Sequence, residues 1–125
     1  MQVSRQLPMM HGGIKLIIGP MFAGKSTYLL AEERKSKIAK KSVVCVKHSF
    51  DTRYTSGSEI VTHNQDTSKA PSYASNTLGE LMNTLIQYDV ILIDEGQFFE
   101  DLAEGVSQLV TLKKYIVIAA YNILL

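Results

Sequence analysis

The strongest chemical pattern in the sequence is a glycine-rich loop between Gly19 and Thr27. It fits the pattern Gly-x4-Gly-Lys-Ser, in which two glycines let the backbone bend so that its N–H groups converge on phosphate oxygens. The N-terminus of a following helix would add positive partial charge. Lys25 would then reach the β- and γ-phosphates, and the Ser26 hydroxyl would hold Mg²⁺. We therefore predict a site for a nucleoside triphosphate, built from the whole loop: Gly19, Pro20, Met21, Phe22, Ala23, Gly24, Lys25, Ser26 and Thr27.

The alternative interpretation of this loop is a glycine turn followed by an exposed lysine. Its context disfavours that interpretation, because an isoleucine-rich run begins before it at Ile14 and a helix-like segment, Ser26 to Lys41, follows it. Strand, loop and helix in this order are the context in which the pattern binds phosphate. The basic end of that segment suits a solvated helix C-terminus better than a second phosphate site.

A second group of chemical interest is the acidic pair Asp94-Glu95, which directly follows the apolar run Val90 to Ile93. Ligands of parallel sheets gather at the carboxyl ends of the strands, where the phosphate-binding loop also lies. One carboxylate there can hold Mg²⁺ through water, and its neighbour can accept a proton from an attacking group. The alternative is a helix-capping turn. Behind a phosphate-binding loop, we favour the catalytic interpretation.

Strand-like and helix-like segments alternate between and after these two groups. Thr77 and Glu80 have the spacing of a capping box, and apolar residues at helical spacing continue to Ile86. The predicted fold is an α/β, P-loop NTPase (RecA-like) parallel sheet with helices on both faces. It forms one domain, residues 14–125, behind a flexible leader, residues 1–13. The expected strands after the loop are residues 42–47, 60–62, 70–74, 90–93 and 115–120, and a last helix is expected around residues 102–110.

Composition excludes several classes of protein. Thirteen basic and twelve acidic residues leave a net charge of +1, so no electrostatic binding to nucleic acid or membrane is expected. The single cysteine, Cys45, excludes an internal disulfide and a cysteine-paired zinc site, and it is expected in the core. No apolar run approaches the roughly 18 residues of a membrane span. The first residues lack the apolar region of a secretory signal, so we expect a cytoplasmic protein.

The nature of the attacking group separates an ATPase from a kinase, and spacing alone does not decide it. Gly-Pro-Met-Phe-Ala-Gly-Lys-Ser-Thr at Gly19 to Thr27 resembles the signature of the thymidine kinases of the vertebrate-cytosolic, bacterial and poxviral type. Asp51-Thr52-Arg53-Tyr54, Thr62-His63 and Asp94-Glu95-Gly96-Gln97-Phe98-Phe99 resemble further blocks of that family, in the same order. The resemblance covers roughly Ile14 to Ala120. It implies transfer of the γ-phosphate of ATP to the 5′-hydroxyl of thymidine, in nucleotide salvage for DNA synthesis.

The resemblance also implies roles for individual residues. Glu95 would be the general base for the sugar hydroxyl, and Arg53 would neutralise charge on the phosphoryl group. Asp94, and with it Asp51, would support the metal ion. Lys25 and Ser26 keep the roles that the loop pattern gives them.

Two apolar side chains, Met21 and Phe98, would line the thymine pocket. The alternatives are that Met21 only fills the loop bend and that Phe98 belongs to the core. The family is tetrameric, so a homo-oligomer is expected, with ATP and thymidine as small-molecule partners.

The sequence departs from the family after Ala120. There the family continues into Asp-Gly-Thr-Phe and a lasso-like lid, which carries zinc on three cysteines and a histidine and grips the thymine base. The printed sequence ends instead with Tyr121-Asn122-Ile123-Leu124-Leu125. We expect a truncated form that lacks the zinc and lasso segment and has little activity by itself.

Two further hypotheses compete with a thymidine kinase. One is a catalytically silent, nucleotide-binding isoform that joins full-length kinase subunits in mixed oligomers. The other is a generic P-loop ATPase in which Glu95 activates water. Arg53 and the pair Phe98-Phe99 speak against the ATPase.

Overall fold

The computed structural model describes residues 2–3, 12–20, 24–49 and 70–122. The described residues include two single turns of 3-10 helix, Gly79–Leu81 and Gly96–Phe98. The strands are β1 (Gln2–Val3), β2 (Gly13–Ile18), β3 (Val43–His48), β4 (Ser72–Ser75), β5 (Val90–Ile93) and β6 (Tyr115–Ala120). The helices are α1 (Lys25–Ile38), α2 (Met82–Leu85) and α3 (Leu102–Thr111).

These strands form one sheet in the order β1-β2-β6-β5-β3-β4. The five strands from β2 to β4 run parallel, and only β1 is antiparallel to its neighbour among the described strands. In register, Ile18 of β2 pairs with Ala120 of β6, and Ile118 of β6 pairs with Ile93 of β5. The carboxyl ends of β2, β6 and β5 therefore meet at one edge of the sheet.

The core lies on both faces of this sheet, as alternation along the strands requires. Ile116 and Ile118 of β6 pack on the face that α3 covers through Val106 and Leu109. The next residue along, Val117, lies on the opposite face with Leu29 of α1. The predicted parallel sheet with helices on both faces is confirmed. Cys45 is buried in the α1-side cluster, as expected of a core cysteine.

The N-terminal segment differs from the prediction for residues 1–13 in two places. Gln2–Val3 pairs with the end of β2, and β2 begins at Gly13 and not at Ile14. The pairing satisfies backbone groups of β2 that would otherwise form an open sheet edge. The strand expected at residues 60–62 lies outside the described residues.

The prediction of one continuous α-helix from Thr77 to Ile86 is wrong. The segment is a 3-10 turn followed by one turn of α2. The Asp101 carboxylate accepts the backbone N–H groups of Leu78 and Gly79, each at 2.9 Å, and this contact holds the start of the segment. Only half of the capping box forms, since Thr77 Oγ1 accepts the N–H of Glu80 at 3.2 Å.

Helix α1, which begins at Lys25, is fixed to the sheet by a buried charged cluster. The Glu32 carboxylate accepts a hydrogen bond from Lys15 Nζ of β2 at 3.2 Å and from the Tyr115 hydroxyl of β6 at 3.4 Å. Exposed Lys35 adds a third contact with Glu32 at 3.1 Å. The Lys15 ammonium also lies 4.7 Å from the centre of the Tyr28 ring. One carboxylate of α1 thus joins two strands of the sheet.

Mutation of Glu32 in this cluster is expected to lower the stability of the fold. Glu32→Gln should lower the free energy of unfolding by about 3–5 kcal/mol, because it leaves the buried Lys15 ammonium without its counter-ion. Glu104→Gln, on the exposed side of α3, is the control and should change stability by less than about 0.5 kcal/mol. Urea unfolding of the two variants measures the difference. Equal unfolding midpoints would contradict the assigned role of the cluster.

The same cluster predicts a loss of stability at alkaline pH. Burial lowers the pKa of Lys15, but its contacts with Tyr28 and Glu32 outweigh that effect and raise the pKa above 10.5. Burial and the Glu32 charge raise the pKa of the Tyr115 hydroxyl from 10.0. A raised pKa in the folded state stabilises the fold below the unfolded pKa, and that stabilisation is lost as the pH rises through the folded value. Unfolding free energy should therefore fall above about pH 10, and less steeply in Glu32→Gln.

Candidate active site

The phosphate-binding loop leaves the sheet at the end of β2 and enters α1. The N–H of Gly19 donates to the carbonyl of Ala120 at 3.1 Å, so the loop begins level with the end of β6. Gly24 precedes α1 with φ 86°, a conformation that glycine adopts far more easily than other residues. Among the described residues, no atom lies within 4 Å of the position that a Gly24 Cβ would take, so the backbone angle is the reason for glycine that they show.

Lys25 is the first residue of α1 and is buried, with 6% of its surface exposed. Its ammonium donates a hydrogen bond to the carbonyl of Gly19, the first residue of the loop. The same ammonium lies 5.9 Å from the centre of the Tyr121 ring. The positive charge of a lysine here adds to the positive end of the helix dipole, and both favour an anion near the N-terminus of α1.

The predicted acidic pair follows β5. Asp94 is 1% exposed, and its Oδ1 accepts the backbone N–H of Glu95 at 2.9 Å. Its own N–H donates to the carbonyl of Val46 in β3 at 2.9 Å. Asp94 therefore occupies a fixed position at the carboxyl edge of the sheet. The helix-capping alternative is wrong for this pair, because the acids are followed by a 3-10 turn in which no side-chain cap forms.

Glu95 has a left-handed backbone, with φ 52° and ψ 48°. A residue with a Cβ pays roughly 1–3 kcal/mol for such a conformation, and residues held in it cluster at functional sites. Its side chain is nevertheless buried, with 6% exposure. The turn is closed by the N–H of Phe98, which donates to the Glu95 carbonyl at 3.2 Å.

Gly96 allows this turn to lie against β6. A Cβ at Gly96 would come within 2.7 Å of Cγ2 of Ile118, which is closer than side-chain carbons approach in proteins. Ile118 is fully buried and cannot move aside freely. The close approach of backbone and strand therefore explains the glycine at this position.

Gly96→Ala should lower the free energy of unfolding by about 1–3 kcal/mol, the usual penalty for overpacking. Gly79→Ala is the matched control, since the nearest atom to its added Cβ, Asp101 Oδ2, is 3.4 Å away. Urea unfolding of both variants measures the effect. If Gly96→Ala is as stable as Gly79→Ala, the turn can move away from β6 at little cost and the packing argument is wrong.

Gln97 links the acidic turn to the residue after β6. Its Nε2 donates to Oε2 of Glu95 at 2.6 Å. Its Oε1 accepts the backbone N–H of Tyr121 at 3.1 Å. Tyr121 also lies beside Lys25, so the Glu95 turn and the lysine of the phosphate-binding loop converge on one residue at the end of β6.

The aromatic pair that follows is divided between surface and core. Phe98 is 43% exposed, so the interpretation of Phe98 as a core residue is wrong. Phe99 is the buried member. Both rings pack on His48 at the end of β3, with centroid distances of 5.8 Å for Phe98 and 5.1 Å for Phe99. Phe98 thus offers an apolar face at the same edge of the sheet as Glu95.

Comparison with known proteins decides the family. The family model for thymidine kinase matches residues 12–124. The chain belongs to the thymidine kinase family. It is 39% identical over 114 residues to the thymidine kinases of Vaccinia virus (strain Ankara) and Variola virus (isolate Human/India/Ind3/1967), and 38% identical over 112 residues to that of Sheeppox virus (strain KS-1). Each match covers 90% of the chain. The chain spans 61–62% of the length of these relatives.

Five predicted site residues of this thymidine kinase family member fall in segments that the structure does not describe. Met21, Phe22 and Ala23 of the loop, and Asp51 and Arg53 after β3, lie outside the described residues. The described members of the loop and of the acidic turn share one edge of the sheet. No group of three or more His, Cys, Asp or Glu side chains suited to a metal ion occurs in the part of the chain that the structure describes. Within that same part, no helix combines the length and apolarity needed to cross a membrane.

Sequence patterns gave no role to Gln97, Tyr121 or His48. Gln97 lies inside the quoted family block, but its function depends on where the end of β6 lies, about 24 residues later in the chain. His48 follows a buried strand and carries no local signal of its own. Only the pairing of β3, β5 and β6 brings these residues together.

Proposed function

We propose that the full-length protein is a thymidine kinase, which transfers the γ-phosphate of ATP to the 5′-hydroxyl of thymidine. The observation that carries the proposal is that Tyr121 contacts both Lys25 and Gln97, and Gln97 in turn holds Glu95, in a chain that belongs to this family. A lysine at a phosphate-binding loop and a carboxylate at the same edge of the sheet are two groups that phosphoryl transfer to a hydroxyl uses.

Lys25 serves the phosphate side of the reaction. When ATP occupies the loop, the ammonium leaves the Gly19 carbonyl and donates to oxygens of the β- and γ-phosphates. The phosphate oxygens are stronger acceptors because they are charged. The N–H groups at the start of α1 bind the same phosphates. Both contacts offset the negative charge that gathers on the phosphoryl group as it moves.

Glu95 serves the nucleoside side. Its carboxylate takes the proton of the 5′-hydroxyl while that oxygen forms its bond to the γ-phosphorus. The bond from the γ-phosphorus to the bridging oxygen breaks at the same time, and ADP leaves with the electron pair. Burial at the carboxyl edge of the sheet keeps the carboxylate in a defined position relative to the phosphates.

The donors at this edge fit a magnesium ion. Mg²⁺ prefers hard oxygen ligands and keeps several of its waters. The Ser26 hydroxyl at the start of α1 and the buried Asp94 carboxylate at the end of β5 are donors of this kind. We propose that Ser26 binds the ion directly and that Asp94, with Asp51, holds it through water. When bound, Mg²⁺ neutralises charge on the phosphates.

Arg53 and the apolar residues complete the proposed site. Arg53 would neutralise charge on the transferred phosphoryl group. Met21 and Phe98 would line the pocket of the thymine base. The exposed ring of Phe98 supports that role, because a half-exposed phenylalanine at the edge of a site can cover one face of a flat base.

We also propose a cytoplasmic homo-oligomer that takes part in nucleotide salvage for DNA synthesis. Membership of the thymidine kinase family supports the role in salvage. Light scattering coupled to size-exclusion chromatography tests the oligomer. A monomer at micromolar concentration would contradict it.

The test of the activity follows both possible products. Full-length protein is incubated with γ-labelled ATP and Mg²⁺, with and without thymidine, and with deoxycytidine as the control nucleoside. Label in thymidine monophosphate, formed only with thymidine, is the expected result. Release of inorganic phosphate at the same rate without thymidine would favour the ATPase. ATP binding with neither product would favour the silent isoform.

A further inference from the structure

We infer that Gln97 is a positioning residue for Glu95, and that it couples the base to the chain segment that follows β6. The inference rests on the proposed function, since it assigns Gln97 to the same reaction. Its observation is the chain of contacts in which Gln97 bridges the Glu95 carboxylate and the Tyr121 backbone.

The orientation of the Gln97 amide follows from its partners. A backbone N–H can only donate, so the side of Gln97 that faces Tyr121 must be the oxygen. The NH₂ group then faces Glu95, where a carboxylate can only accept. Both contacts are therefore satisfied in one orientation and lost in the other. The acceptor of the 2.6 Å contact is an ionisable carboxylate, and hydrogen bonds to an ionised acceptor are stronger than neutral ones.

Two further features restrict the movement of this bridge. Gln97 lies in the 3-10 turn Gly96–Phe98, whose backbone is closed by the N–H of Phe99 on the Gly96 carbonyl at 3.1 Å. Gly96 is in turn pressed against Ile118 of β6. Gln97 is thus held on a rigid turn and spans the short distance from that turn to the end of β6.

The Gln97 contact affects the direction in which the Glu95 carboxylate faces the substrate. A left-handed backbone places Glu95 at the edge of the sheet, but the carboxylate still has three side-chain torsions to fix. The hydrogen bond from Gln97 fixes the position of Oε2, and with it the orientation of the carboxylate toward the substrate hydroxyl. Because Tyr121 fixes Gln97, displacement of the segment after β6 would release the base.

Two substitutions at Gln97 test this role in full-length protein. Gln97→Leu removes both hydrogen bonds and should lower kcat for thymidine phosphorylation about 10- to 100-fold, as misplacement of a catalytic group does. The KM values for ATP and thymidine should stay within about twofold, because neither substrate loses a contact. Gln87→Leu is the matched control, since Gln87 donates its amide to the Asn83 carbonyl away from the site.

Gln97→Glu separates positioning from a structural role. It keeps an acceptor for Tyr121 but places a carboxyl group against Glu95, and two carboxylates at one site do not both ionise easily. The pH dependence of kcat should therefore move to higher pH by about one unit or more. A turn that Gln97 merely stabilises would show a lower melting temperature with the pH profile unchanged. That outcome, or a Gln97→Leu variant with wild-type kcat, would overturn the inference.

A third measurement does not depend on activity. In ¹⁵N-labelled protein, the side-chain NH₂ signals of Gln97 are assigned by their loss in Gln97→Leu. Glu95→Ala should move the proton signal that faces the carboxylate upfield, while Glu104→Gln should leave it in place. An unmoved signal would overturn the inference even if wild-type protein phosphorylated thymidine. A moved signal in a protein without that activity would support the bridge while the proposed function fails.

Discussion

Replacing Glu95 by Gln in the full-length protein should lower the turnover number for thymidine phosphorylation by about 10²–10⁴-fold, the usual effect of losing a general base. Affinity for ATP should be nearly unchanged, because the proposed role of Glu95 is to act on the nucleoside and not on ATP. The substitution is conservative for the fold. The new amide oxygen can accept the Gln97 hydrogen bond in place of the carboxylate. Initial rates at saturating ATP and thymidine, with ATP affinity from calorimetry, measure both quantities.

The control for this variant is Glu100→Gln, an exposed carboxylate five residues further along the chain. It should keep the wild-type turnover number. Melting curves of the two variants should coincide with that of the wild type. If Glu95→Gln retains its rate, the proton acceptor lies elsewhere, and Asp51→Asn is the next variant to assay.

The central strands were predictable because burial on both faces leaves a simple pattern. Tyr115–Ala120 is a continuous apolar run, and every residue in it is buried. The same holds for Val90–Ile93, whose bounds match the prediction. Such runs predict strands of a parallel sheet covered on both faces. The prediction of a phosphate-binding loop has another basis, since its glycines and its lysine lie within nine consecutive residues.

The incorrect prediction of a continuous helix from Thr77 to Ile86 shows what apolar spacing does not determine. Leu78 and Leu85 have helical spacing and are both buried, as predicted. The backbone between them is decided by a distant residue, because Asp101 captures the first N–H groups and the Glu80 carboxylate turns to the Ser75 hydroxyl at 3.0 Å. Local spacing contains no information about either partner. The apolar pattern therefore predicted which side chains are buried and not the type of helix.

The candidate site likewise has features that the sequence indicates and features that depend on the assembled sheet. Lys25 and Glu95 are identified by residue type and by position after a strand. The contact of Gly96 with Ile118 and the hydrogen bond from Tyr121 to Gln97 both depend on β6 lying beside β5. These contacts join residues more than twenty positions apart. They emerge only when the sheet is assembled.

Lys25→Ala should abolish detectable binding of Mg·ATP. Each hydrogen bond to a charged group contributes about 1.5–3 kcal/mol, and in the proposed site the ammonium contacts both the β- and the γ-phosphate. Loss of the two contacts corresponds to a fall in affinity of about 10²-fold or more. Isothermal titration calorimetry with Mg·ATP on folded full-length protein measures it. Alanine is compatible with the first turn of α1, so the helix itself should persist.

The matched control is Lys37→Ala on the same helix. Lys37 carries the same charge, but it is exposed and pairs with Glu33 at 3.1 Å near the C-terminal end of α1. Its loss should leave the affinity for Mg·ATP within about twofold, since surface pairs contribute at most about 1 kcal/mol and this one lies far from the loop. Circular dichroism should show the same helix content in both variants. Equal affinity of wild type and Lys25→Ala would mean that the loop, although it has the right glycines and the right lysine, does not bind the nucleotide through that lysine, and the proposed kinase would lose its phosphate contact.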